Sequence, residues 1–444
     1  MQPNEAHRSE RARPRVQTGA STVALALALL LGAGMRPGLA SAHLIGRPGD
    51  PIAHAAEATP GATEALAPTS EAPTAAGEPA PAGGLIPDDT GIPGRGGAPG
   101  DWRAAQWNFV GQFGIDAPGA WSNVAGEGAP GGGKVIVAVL DTGVAYADRG
   151  PFRRSPDFGK WQFVRGYDFV AHTPYPNDRN GHGTFVAGTI AEETDNRYGL
   201  TGLAYGARIM PVRVLNSEGE GDASTIAEGV MFAVEHGAKV INMSLEFSPG
   251  VTASDIPELM QALRYAYRHN VVVVAAAGNE GRTGVDYPAK APHVIAVGAS
   301  TEHGCLASYS NDGPGLTLVA PGGGPDADLP GDPNCHPELP PGQDIFQMTF
   351  TGSSPRVFGF PNGYEGTSMA TPHVAATVAL IIAGHVLGRK PTVTQITSRL
   401  RATARKLGGP SDSALYGAGL LDAAAATAPV KATVATAPRT PAGR

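Results

Sequence analysis

The stretch "KVIVAVLDTGV", residues 134 to 144, decides how this chain folds. Its first seven residues are a continuous, β-branched apolar run, the pattern of a strand buried on both faces rather than one. The runs "ARIMPVRVL" (207–215), "KVINMSL" (239–245), "VVVVAAA" (271–277) and "HVIAVGA" (293–299) repeat it. Between the second and third runs, Ile226, Val230, Ala233 and Val234 recur at helical spacing, and between the third and fourth so do Leu259, Leu263 and Ala266. Strands alternating with helices predict an α/β fold, a three-layer sandwich with a mostly parallel central sheet and right-handed crossovers. Ligands of such sheets bind beyond the carboxyl ends of the strands, so the residues that close each run matter most.

The run at 134–140 ends on Asp141. A carboxylate there costs free energy unless it is paired, although an Asp can also simply form the turn. Some forty residues later "NGHGTFVAGTIAE" sets His182 between two glycines at the start of a helical pattern. "VVVVAAAGNEG" closes on Gly278 and Asn279, where Asn also suits a left-handed turn. In "GYEGTSMATPHVAA" (363–376), Ser368 stands at the start of a long apolar helix, either as an N-cap or as a nucleophile. Together Asp141, His182, Asn279 and Ser368 are the parts of one machine. A serine hydroxyl needs an imidazole to take its proton, the imidazole needs a carboxylate, and the developing oxyanion needs preorganised donors.

With "VIVAVLDTGV", "NGHGTFVAGTIA", "VVVVAAAGNEG" and "GTSMATPHVAA" in this order, the chain resembles the subtilisin-like serine peptidases over roughly residues 102 to 424. The resemblance implies a subtilisin-like peptidase domain over 101–425. It makes Asp141 the orienting carboxylate, His182 the general base and acid, Ser368 the acylated nucleophile and Asn279 the oxyanion donor. It also implies that Ser244, Leu245 and Glu246 on one side, and Ala276, Ala277 and Gly278 on the other, wall the pocket for the residue preceding the scissile bond. Glu246 and Asp286 stand where relatives often carry glycine. Two acids there predict a preference for Lys or Arg, unless Asp286 pairs with Arg282 or Lys290 and leaves the pocket broad and apolar. Phe185 replaces a second His common in the family, and His373 reads as structural. The segment 366–370 ends in Ala, so it is not the elbow of the α/β-hydrolases. A structural calcium is implied, with Asn196 as side-chain ligand, Tyr198 and Leu200 as carbonyl donors, and Gln106 and Asp157 as remote oxygens. Catalysis itself needs no cofactor.

Outside this region the composition changes. Arg8, Arg11, Arg13 and Arg15 precede the apolar run "ASTVALALALLLGAGM" and then Ala40 and Ala42, the order of a secretory signal peptide over 1–42. About fifteen apolar residues fall short of the roughly 20 that a spanning helix needs, and Ala12 separates Arg11 from Arg13, so no twin-arginine pair is present. Residues 43–100 are rich in Ala and Pro and poor in large apolar groups, which predicts a disordered spacer or short pro-region. Such a segment cannot fold alone as the family's usual prosegment does; either the enzyme matures without one, or the spacer binds the cleft as an extended peptide. Residues 426–444 read as a disordered tail.

The net charge of −7 and the lack of a Lys/Arg block in the patterned region exclude a nucleic-acid partner. In an exported protein the only cysteines, Cys305 and Cys335, most simply form one disulfide, with a reactive thiol as the alternative. The expectation is therefore a secreted, monomeric serine endopeptidase acting on protein or peptide substrates. The rivals are a membrane-tethered processing protease and a non-catalytic binding protein on the same scaffold.

Overall fold

The computed structural model describes residues 85–94, 96–409 and 413–430, together with the backbone of a short strand at 41–44. The expected signal peptide lies outside the described residues except for its last two positions, as do residues 45–84 of the spacer and 431–444 of the tail.

The strands in chain order are β1 (Ser41–Leu44), β2 (Ile136–Asp141), β3 (Tyr167–Asp168), β4 (Arg208–Arg213), β5 (Glu220–Asp222), β6 (Val240–Met243), β7 (Leu245–Phe247), β8 (Val272–Ala276), β9 (Ile295–Ser300) and β10 (Leu318–Pro321). Seven of them form a sheet in the order β10-β9-β8-β6-β2-β4-β3, with every neighbouring pair parallel. The five apolar runs all become strands of this sheet. Its edge strands β3 and β10 escaped the sequence reading, because two to four residues are too few for a pattern.

The alternation along β2 explains the continuous apolar runs. Val137 and Val139 face one hydrophobic core, with helices α1 (Ala117–Gly126), α2 (His182–Ala191) and α5 (Thr367–Ala383). Ala138 and Leu140 face a second core, which packs on α3 (Ala223–Glu235) and α4 (Pro257–Arg268). Both faces are dry, so neither tolerates polar residues. Helix α5 is buried on every side and runs through the protein; residues 367–381 are all buried. Helix α3 starts at Asp222, whose carboxylate accepts from the Thr225 N–H at 2.8 Å.

Two boundaries differ from the composition reading. Residues 85–94 and 96–100, assigned to the spacer, pack against the domain: Asp89 is fully buried, and Trp102 donates from its indole to the Pro87 carbonyl at 3.1 Å. Aromatic residues are absent from this stretch, but Trp102 reaches back to it and joins Trp121 edge to face at 5.7 Å. At the other end, a helix over Ala423–Thr427 buries Ala426 and Thr427, and Arg399 binds the carbonyls of Ala425, Ala426 and Ala428. Small residues that read as tail are packed there. Cys305 and Cys335 are joined as a disulfide, which removes the free-thiol alternative.

A second sheet has the order β5-β1-β7, with β1 antiparallel to both neighbours. His43 pairs with Glu220 on one side and Glu246 on the other, and Leu44 pairs with Leu245. Strand β1 belongs to the segment expected to be signal peptide and spacer, and it is the middle strand of three.

Candidate active site

In the main sheet β4 lies on one side of β2 and β6 on the other, so the connections reverse direction at β2. The crevice beyond the ends of β2 and β6 is therefore the natural site. Asp141 ends β2, and Ser244 directly follows β6.

Asp141 is fully buried and accepts from its neighbour's N–H, Thr142, at 2.7 Å. His182 Nδ1 donates to Asp141 Oδ1 at 2.8 Å and lies 3.0 Å from Oδ2. A carboxylate on Nδ1 holds the proton there and leaves Nε2 as the basic nitrogen. The loop after β2 and the start of α2 come close because residue 183 is glycine: a Cβ there would sit 2.1 Å from the Gly143 carbonyl oxygen.

Asp178, which the sequence reading missed, ties the two segments together. Its buried carboxylate accepts from the Thr142 hydroxyl at 2.9 Å, from the N–H groups of Asn180, Gly181 and Thr184, and from the Thr184 hydroxyl at 2.6 Å. It thus neutralises the start of α2 while holding the residue after Asp141. An acid four positions before a helix-initial His was the available signal.

Ser368 is not an N-cap. That position falls to Gly366, and Ser368 lies inside the first turn of α5, fully buried. Its Oγ donates to the Ser244 carbonyl at 3.2 Å, and Ser244 Oγ donates to the Ser368 carbonyl at 2.8 Å. Asn279 is held by its oxygen, which accepts from the Thr367 N–H at 2.9 Å and its hydroxyl at 3.1 Å. Its Nδ2 is buried and has no hydrogen-bond partner among the described residues. An amide anchored on one side with a spare buried donor on the other is equipped to receive a new negative charge.

His373 is structural. Its Nδ1 donates to the Met369 carbonyl at 2.9 Å, its Nε2 accepts from Asn108 Nδ2 at 2.7 Å, and burial pushes its pKa down to about 4, so the ring is neutral. Phe185 stacks on Tyr364 with centroids 4.2 Å apart, a packing use of that position.

The expected pocket walls also meet. Ala276 ends β8 and Ala277 and Gly278 follow it, while Leu245 and Glu246 belong to β7. Gly278 has φ +117°, and a Cβ on it would lie 2.6 Å from Glu246 Oε2 and 2.8 Å from Asp286 Oδ2. The two acids are not both free: Arg282 donates to Asp286 Oδ1, the pairing given above as the alternative.

Of the expected calcium ligands, Asp157 and Asn196 meet, with Asn196 Nδ2 2.7 Å from Asp157 Oδ1. Leu200 donates its N–H to Asp157 at 3.1 Å, and the exposed Tyr198 donates its own to Asn196 Oδ1 at 2.8 Å. Gln106 is also tied to this loop. Its amide binds Thr201 at both ends, donating at 2.8 Å and accepting at 3.0 Å, so it straps this loop to the N-terminal segment. Asp89, unforeseen, joins the group by accepting from the N–H groups of Asp195 and Asn196. Burial pushes Asp89 up to about 7, and Asp157 and Glu192 well above the carboxylate range. Glu192 Oε2 is buried with no partner among the described residues. Buried carboxylates in excess of cations fit a hard, oxygen-seeking ion.

The Subtilase family profile matches residues 132–419 of the chain. This protein belongs to the subtilase family. The chain is 38% identical to subtilisin DY of Bacillus licheniformis over 301 residues, 66% of this chain and 91% of that protein. It is likewise 38% identical to subtilisin Savinase of Lederbergia lenta over 316 residues, 70% of this chain and 96% of that one. A solved protease from Pseudoalteromonas arctica superposes with a TM-score of 0.61 at 29% identity, covering 77% of this chain and 99% of that one. The fold is thus the subtilisin-like α/β sandwich, and this subtilase is a serine endopeptidase.

Proposed function

We propose that this subtilase cuts protein substrates through an acyl-enzyme on Ser368. The observation that carries the reading is the buried His182–Asp141 contact at 2.8 Å, supported by Ser368 in the first turn of a helix and an anchored Asn279 with a spare donor. Ser368 Oγ attacks the scissile carbonyl while His182 Nε2 takes its proton, and Asp141 stabilises the imidazolium. Charge on the carbonyl oxygen is held by Asn279 Nδ2 and the Ser368 N–H. His182 then returns the proton to the leaving amine, and water, activated by the same imidazole, releases the acyl group.

Substrate lies as an extended strand between β5 and β7, the place β1 takes. In this mode backbone hydrogen bonds hold the peptide and side-chain pockets select it. The spacer reading is accordingly that His43 and Leu44, which stay behind when residues 1–42 are removed, open a pro-region that covers the cleft before maturation. A structural calcium would be held by Asp157, Asn196 and Asp89 with the carbonyls of Tyr198 and Leu200, and would stabilise the fold without taking part in the chemistry. On this reading the enzyme is exported by residues 1–42 and works as a monomer; among the described residues no helix is long and apolar enough to cross a membrane.

The test is a fluorophosphonate probe followed by intact mass, with Ser368→Ala as control. An adduct on the unmodified enzyme alone supports the reading, and the same mass reports the processed N-terminus. Folded protein that takes up no label, with or without residues 41–44, overturns it in favour of a binding protein.

A further inference from the structure

Next to Asn279 the molecule gathers three acids. The carboxylates of Glu246, Glu280 and Asp286 each place an oxygen within 4.8 Å of the others. Glu246 is only 7% exposed, and its Oε2 has no hydrogen-bond partner among the described residues. Gly278 forms the floor, since any side chain there would collide with Glu246, Asp286 and Asn311. The site is continuous with the reacting groups: Gly278 precedes Asn279, and Glu246 lies two residues beyond Ser244, whose carbonyl takes the Ser368 hydroxyl.

One cation faces this cluster. Arg282 contacts Asp286 Oδ1 and lies 4.0 Å from Glu280 Oε2, while Asn311 Nδ2 donates to Glu280 at 2.7 Å and to Asp286 at 2.8 Å. No other Lys or Arg among the described residues forms an ion pair with these acids; Lys290 lies over the Tyr287 ring. The Arg282 side chain is itself 35% exposed, so it can swing out where Glu246 cannot.

We propose that Arg282 is a specificity-determining residue, an internal counter-ion that occupies the place a substrate ammonium or guanidinium would take. This rests on the protease reading above. With Arg282 seated, Asp286 is paired, and a Lys or Arg ahead of the scissile bond meets a like charge beside the acids and gains little. A buried acid rewards a new cation most when it has lost its own partner. Removing Arg282 leaves Asp286 without its partner, and a basic substrate side chain becomes the cheapest replacement. Removing Asp286 instead leaves Arg282 with Glu280 alone, 4.0 Å away, and shifts the balance towards an acidic side chain.

The experiment uses the full-length matured enzyme and tetrapeptide p-nitroanilides that differ only in the final residue, Phe, Arg or Glu, normalised to fluorophosphonate-titrated sites. For the unmodified enzyme the Arg substrate should turn over no faster than the Phe one in kcat/KM. Arg282→Gln should raise the Arg:Phe ratio at least tenfold, mainly through KM, and Arg282→Lys should keep the original ratio. Asp286→Asn should raise the Glu:Phe ratio at least tenfold, and it decides the matter if Arg282→Gln does not fold. Unchanged ratios in a variant that still titrates, or an unmodified enzyme already selective for Arg, overturn the proposal. Failure to titrate any form would instead count against the protease reading itself.

Discussion

Ser244 and Ser368 are joined by a reciprocal pair of hydrogen bonds, each hydroxyl donating to the other's carbonyl, at 2.8 and 3.2 Å. The reason lies four residues along. Pro372 sits inside helix α5 and has no N–H, so the Ser368 carbonyl loses its helical donor. Ser244 supplies the missing hydrogen, and Asn242 donates in turn to Ser244 at 3.0 Å.

Ser244→Ala should therefore leave a buried carbonyl unpaired and cost about 1–3 kcal/mol of stability. It should also lower kcat by about tenfold, through a looser Ser368. In a Pro372→Ala background the restored N–H takes over the carbonyl, so the stability cost of Ser244→Ala should shrink. A double-mutant cycle in urea measures this coupling, and strictly additive costs would refute the link.

Asn279→Ala should lower kcat by about 100- to 1000-fold with little change in KM. That size is carried over from the same substitution within this family rather than derived from the distances. What the geometry adds is that Asn279→Asp should fare no better, because its second oxygen would meet the oxyanion where Nδ2 now waits.

The buried acids around Asp157 make a calcium prediction with a defined pH dependence. Without a cation, Asp89 is raised by burial from 3.8 to about 7, so its protonated form suits the fold, and stability falls as pH climbs through that window. With calcium the carboxylates are needed ionised. A chelator should thus lower Tm at pH 8 far more than at pH 5, with a stability loss of about 3 kcal/mol at calcium near a hundred times Kd. Asp157→Asn should abolish the difference. Equal melting curves with and without chelator at pH 8 would remove calcium from the description.

Glu246 bears on stability independently. Burial, reinforced by Glu280 and Asp286, pushes its carboxyl from 4.5 to about 9. A raised carboxyl pKa means the folded state holds a proton that the unfolded chain releases, so this contribution is complete below about pH 4.5 and is lost as pH rises towards 9. Glu246→Gln, a permanent mimic of the protonated form, should show a flatter decline of Tm across that range and be the more stable protein at pH 9. A parallel decline in the two proteins would show that Glu246 is ionised throughout.

Cys305 and Cys335 close a loop with a sequence separation of 30. Replacing both with Ser should cost about 3–4 kcal/mol in the chain-entropy view, read from urea unfolding.

The parallel sheet was legible from local patterning, since strands dry on both faces must be apolar at every position, and the shortness and β-branched content of "VIVAVL" and "VVVVAA" favour a strand over a buried helix. The residue types at the strand ends, Asp141 and Asn279, and those opening helices, His182 and Ser368, were equally visible. Contacts across the chain were not. Asp178 bridging Thr142 to helix α2, Ser244 serving the carbonyl that Pro372 abandons, and Arg282 seated on Asp286 beside Glu246 leave no periodic trace. Nor does Asp89 reaching the loop at Asn196 from more than a hundred residues away, out of a stretch whose composition reads as disordered. Periodicity reports which face of an element is dry, a local property. Which polar group satisfies which is settled only when elements distant in sequence pack, because a buried donor or charge takes whatever partner the assembled fold brings within about 3 Å.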